Sequence, residues 1–126
     1  WVGEYYSYCP IPVLNVNGTF TLGENMCDLG GSSTALKAYL GSLEGQEPPV
    51  SEGFTGVQRV FIGFGRVWRS ENRDEALRTQ NATEPHSPGI YRANGSVRNV
   101  PEWYTAFGVG ESNELYLAPE ERVKIW

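Results

Sequence analysis

Histidine is the scarcest chemistry-bearing residue of this 126-residue chain, which has only His86. A catalytic zinc site commonly takes three protein ligands, two of them histidines, so the chain cannot complete such a site alone. Methionine also occurs once, as Met26, and the chain begins at Trp1. That predicts a processed or engineered product, or the tail of something longer. The two cysteines, Cys9 and Cys27, form no C-x-x-C pair. One disulfide or two free thiols fit equally, and neither fixes a compartment. No apolar run approaches the roughly 18 residues of a spanning helix, and no charged n-region precedes an apolar h-region. Basic residues are few and scattered, ten against fifteen acidic ones, giving a net charge of −5. That argues against nucleic acid and against contact with an anionic membrane. Gly63-Phe64-Gly65 lacks the third glycine of a dinucleotide loop, and no nucleophile elbow surrounds Ser32 or Ser87.

What is present fits one domain at most. Hydrophobic residues make up 40% and aromatics 13%, an ordinary globular composition, and fifteen glycines with eight prolines predict short elements joined by loops. Residues 1–13 are aromatic and proline-punctuated, with no regular element expected. Leu14 and Val16, then Asn17-Gly18, then Phe20 and Leu22 alternate around an N-G turn, which predicts an N-terminal β-hairpin. A helix follows to about residue 40 on the stripe Met26, Leu29, Leu36, Tyr39 and Leu40. Gly30-Gly31 interrupts it, marking either two helices or one helix with a close neighbour. Residues 41–53 read as a surface loop. Thr55-Gly56-Val57-Gln58 is a capping-box match opening an amphipathic helix on Val57, Val60, Phe61, Phe64, Val67 and Trp68. A polar helix is expected from Asp74 to Asn81, and an extended run over Ile90-Tyr91-Arg92. The segment from Asn99 to Phe107 reads as a proline-started helix ended by Gly108, with an extended or turn-like tail beyond. The fold class is mainly α with a small N-terminal hairpin.

Glu24 and Asp28 in Gly23-Glu24-Asn25-Met26-Cys27-Asp28-Leu29-Gly30-Gly31 lie four residues apart, so on a helix both carboxylates share a face. One carboxylate can ligate zinc while the other accepts the N–H of a ligating histidine. Thr21-Leu22-Gly23-Glu24 also fits a capping box, with Asp28 a solvated first-turn acid. Spacing alone leaves both open. A zinc site of Glu24, Cys27 and His86 is a remote third arrangement.

The nine-residue motif closely resembles the Glu-Asn-x-x-Asp-x-Gly-Gly segment of neprilysin-like zinc metallopeptidases. Further blocks follow in the family's order: Gly53-Phe54-Thr55-Gly56, Arg66-Val67-Trp68-Arg69, Pro85 to Arg92 with Asn94-Gly95, and Tyr116 to Trp126. The whole resembles the C-terminal part of the catalytic domain, with residues 1–126 as one segment of it. The resemblance implies a thermolysin-like, neprilysin-like fold and peptide-bond hydrolysis with one zinc ion. Glu24 matches the third zinc ligand and Asp28 the carboxylate orienting a ligating histidine. His86 matches the histidine that donates to the developing oxyanion, and Arg92 the arginine gripping the carbonyl beyond the scissile bond. Val67 and Trp68 match the lining of a hydrophobic pocket for the residue after the cut; on periodicity alone they are equally helix core.

Departures from the family pattern set the expectations for the isolated chain. The H-E-x-x-H helix, carrying both histidine ligands and the general-base glutamate, is missing, as is the edge strand that binds substrate backbone. Family cysteines near the C-terminal tryptophan and after the Val-Trp pair are absent, Arg69 standing at the latter, which resembles bacterial members. Asn17, Asn81 and Asn94 begin glycosylation sequons, a pattern common by chance. The expected partners are a peptide substrate and the upstream part of the same domain. The expected activity is zinc endopeptidase in the larger unit and none in the chain alone. The competing class is a non-enzymatic docking module. Cell envelope, secretion and bacterial cytoplasm all fit.

Overall fold

The computed structural model describes residues 1–125; the terminal Trp126 of the last matching block lies outside them. Helix α1 (Val2–Tyr6) leads through turns into the long α2 (Leu22–Ser42). A two-stranded antiparallel hairpin follows, β1 (Val50–Ser51) and β2 (Phe54–Thr55), running directly into α3 (Gly56–Val67). Then come α4 (Asp74–Thr83), α5 (Gly89–Val97), α6 (Pro101–Phe107) and a 3₁₀ turn at Pro119–Glu121. The mainly helical class with one small hairpin is as expected, but the hairpin is not N-terminal.

At the expected site the chain winds into α2 instead of pairing. The Asn17 carbonyl accepts from both Thr21 N and Thr21 Oγ1, while its side chain accepts from Phe20 N and Tyr6 Oη. Val16 is wholly buried, and Gly18 sits against the Val2 carbonyl with no room for a side chain. The real hairpin lies where a plain loop was expected. Glu52 and Gly53 both take positive φ, 54° and 81°, the left-handed pair of a tight hairpin turn. Residues 2–6, expected to be irregular, form α1, with Tyr5 buried against α5.

Helix α2 passes through Gly30-Gly31 without a break. Two interior glycines cost about 1 kcal/mol each relative to alanine. Burial of Leu29 and Leu36 in a core shared with Phe61, Val97 and Val100 offsets this. At Gly31 a Cβ would meet nothing within 4 Å, so no close neighbour demands that glycine. Helix α3 realises the expected amphipathic stripe, and its capping box forms in both directions between Thr55 and Gln58. Gln58 Nε2 also donates to Ala106 O at 2.8 Å, fastening α3 to α6. Thr55→Ala should cost about 1 kcal/mol, read as a lower denaturant midpoint at unchanged slope.

Ile90-Tyr91-Arg92 belongs to a helix and not to an extended run. Tyr91 N and Arg92 N both donate to Pro88 O, and buried Arg92, Gly95 and Ser96 repeat at helical spacing toward α1 and α2. Val100 caps α6, and the Asn99 side chain before it donates to Gly95 O and accepts from Val123 N. Gly108 ends α6 at φ 62°, as expected of a left-handed terminator. Cys9 and Cys27 are free and exposed.

Candidate active site

Three segments bring the expected polar residues together. The first turns of α2 carry Glu24 and Asp28, α5 carries Arg92, and the loop between α4 and α5 carries His86. Glu24 does not close a capping box: Thr21 makes no side-chain cap bond, and its hydroxyl instead donates to Asn17 O and accepts from Asn25 Nδ2. The Glu24 carboxylate faces the site, with Oε2 3.2 Å from His86 Nε2 and 3.6 Å from Arg92 Nη2.

Asp28 is no solvated helix-start acid. It is 7% exposed and accepts a two-pronged interaction from Arg92, Nε to Oδ2 at 2.5 Å and Nη2 to Oδ1 at 2.9 Å. Two parallel N–H donors hold both groups in one plane, a geometry lysine cannot reproduce. Burial pushes the Asp28 carboxyl above its ordinary value, and the Arg92 guanidinium offsets this only in part. The other face of Arg92 lies on the Trp68 ring, 3.8 Å from its centroid. Trp68 therefore does more than line a pocket: it seats the arginine.

Trp68 and Val67 do border a cavity of about 220 Å³, shared with Ser70, Asn72, Gln80, His86 and Arg92. Val67 is 70% exposed, so its reading as helix core does not hold. The cavity lies beside the His86 and Arg92 side chains, with Gly89 at its rim. A Cβ on Gly89 would strike the Trp68 carbonyl, so α5 depends on glycine there to approach the end of α3. Gly89→Ala should lower stability by about 1–3 kcal/mol in chemical denaturation and disturb the Arg92–Trp68 stack.

Several contributing residues carried no signal on their own. Glu84, two positions before His86, places Oε2 3.4 Å from His86 Nδ1 and so faces the ring nitrogen opposite Glu24. A carboxylate at that distance helps to orient the ring. Gln80 of α4 donates to His86 O at 3.1 Å. Asn25 and Ser87, buried neighbours of Glu24 and His86, bond to each other. Adjacency to a site residue could have found Ser87, and the Asn of the Glu-Asn-x-x-Asp motif Asn25; Gln80, six residues before His86, had no such signal.

Among the described residues no three histidine, cysteine or acidic side chains converge as a ligand set. That disposes of the Glu24, Cys27 and His86 arrangement. Glu24 remains a suitable single oxygen ligand, its side chain 38% exposed beside the buried Asp28 carboxylate.

Comparison with known proteins gives the chain's family. The model of peptidase family M13 matches residues 1–123, and the chain belongs to that family. Neprilysin-1 of Caenorhabditis elegans is 36% identical over 118 residues, covering 90% of this chain and 15% of that protein. The endothelin-converting enzyme homolog of Locusta migratoria is 33% identical, covering 99% and 17% respectively. The crystal structure of the Mycobacterium tuberculosis zinc metalloprotease Zmp1 with an inhibitor matches at a TM-score of 0.96 and 46% identity. That match covers 99% of this chain and 20% of the Zmp1 chain. The bacterial neighbour fits the bacterial-type resemblance. The chain thus spans about a fifth or less of the relatives it matches.

Proposed function

We propose that this chain is the C-terminal portion of a zinc metalloendopeptidase catalytic domain and supplies the substrate side of its active centre. The observation that carries this reading is the convergence of Glu24, Asp28, His86 and Arg92 within hydrogen-bonding reach, from separate segments of an M13 chain. Zinc, held by Glu24 and two histidines from the remainder of the domain, would polarise the peptide carbonyl and activate water. Asp28 orients one of those histidines with the acceptor capacity left beside Arg92. His86 donates to the oxyanion that develops as the carbonyl becomes tetrahedral. Preorganised donors of that kind contribute about 3–4 kcal/mol. Arg92, kept flat by Asp28 and Trp68, presents its remaining N–H groups to the carbonyl of the residue after the cut. The cavity at Val67 and Trp68 receives that residue's side chain, with small peptides preferring a hydrophobic one.

An open apolar groove of about 820 Å³ along the outer face of α2, past Gly23, Met26, Cys27 and Ala38, supports an incomplete domain over a finished docking module. The isolated chain should bind a hydrophobic dye, retain almost no zinc after desalting and hydrolyse nothing. Chelator-sensitive peptidase activity in the pure 126-residue protein would refute that expectation. The function is tested by grafting the chain into Zmp1 in place of the matching fifth. Zinc-dependent peptide hydrolysis is the expected result, and a folded graft without it would argue for the non-enzymatic class.

A further inference from the structure

The His86 loop, through the Ser87 hydroxyl, and the first turns of α2 are joined by a buried chain of polar side chains that the catalytic reading leaves unused. Ser87 is 1% exposed and Asn25 wholly buried. Ser87 Oγ donates to Asn25 Oδ1 at 2.9 Å; Asn25 Nδ2 donates to Thr21 Oγ1 at 3.0 Å; Thr21 Oγ1 donates to Asn17 O at 3.0 Å. Each hydroxyl and amide in this relay has a partner, and buried groups left unpaired are costly. The first link of the relay lies one residue from each of two site groups, Ser87 beside His86 and Asn25 beside Glu24.

We infer that Asn25 and Ser87 are a positioning pair for this reaction, setting the reach of His86 Nε2 across to Glu24. The inference rests on the proposed role of His86. The physical need is plain: His86 stands in a loop with its side chain 41% exposed, so apolar packing does not hold the ring. Gln80 fixes the loop from the α4 side through the His86 carbonyl. Without a second tether the loop could pivot about that bond and carry the imidazole away from α2. The Ser87–Asn25 bond closes the second side. Misplacing a catalytic group by about 1 Å can cost on the order of 10²-fold in rate.

The pair is tested in the 126-residue chain by NMR, with no dependence on metal or hydrolysis. The Ser87 hydroxyl proton, shut away from water, should give a resolved resonance with a nuclear Overhauser contact to the Asn25 side-chain amide. The His86 ring protons should show contacts to the Glu24 methylenes. Ser87→Ala should abolish the His86–Glu24 contacts while the backbone shifts of α2 and α5 stay in place. Persistence of the His86–Glu24 contacts in folded Ser87→Ala would overturn the inference. So would a Ser87 hydroxyl that exchanges freely in the unsubstituted chain, a reading that stands even if the alanine variant does not fold. In the Zmp1 graft, Ser87→Ala should lower kcat about tenfold with KM within about twofold. A graft lacking all activity before substitution would strike at the proposed function and leave the NMR result standing.

Discussion

Replacing His86 with phenylalanine in the Zmp1 graft should lower kcat by about 10²–10³-fold while KM changes little. A donor aimed at charge that appears only in the transition state contributes to kcat and not to ground-state binding. The geometry here argues for that role. Glu24 Oε2 faces one ring nitrogen at 3.2 Å and Glu84 Oε2 the other at 3.4 Å, so the ring is held from both sides with its edge in the site. Steady-state kinetics on a peptide substrate checks it. A rise in KM at unchanged kcat would instead make His86 a simple binding contact.

The largest effect on stability should come from Asp28→Ala in the 126-residue chain, a loss of about 3–5 kcal/mol in denaturant unfolding. The substitution leaves the Arg92 guanidinium buried without its partner, and a buried, uncompensated charge is far costlier than a missing surface pair. Arg92 is 8% exposed, and its other close contacts are the Trp68 ring and the Glu24 carboxylate at 3.6 Å. Asp28→Leu combined with Arg92→Met should recover much of the loss, since the pair's own desolvation disappears with it. Full additivity of the two single losses would show that the ion pair is not what fastens α5 to α2. The same double variant should still fail in catalysis, which separates fastening from function.

The helices were legible wherever packing and local preference agreed. The α3 stripe and the Thr55–Gln58 box point the same way, and so do Pro101 and Gly108 at the two ends of α6. Misreadings fell where tertiary contacts outvoted local chemistry. Asn17-Gly18 is a strong hairpin signal, yet the Asn17 carbonyl and side chain are taken by the turn into α2. Ile90 and Tyr91 favour strands, but burial of Arg92 and Gly95 against α2 and α1 makes that segment a helix. For the site, Glu24 and Asp28 shared a face by spacing alone, though spacing could not separate a capping box from a ligand pair. The hydroxyl of Thr21 rules out the capping box by bonding to Asn17 and Asn25. The Asp28–Arg92 pairing spans sixty-four residues of sequence and no periodicity announces such a contact.

Zinc per chain in the Zmp1 graft, by elemental analysis after desalting and with Glu24→Ala beside it, tests the central claim most directly. The account expects one zinc in the graft and a clearly substoichiometric amount once Glu24 is removed, both proteins folded. Full zinc occupancy in folded Glu24→Ala would contradict it, for then this chain would bring no ligand to the metal.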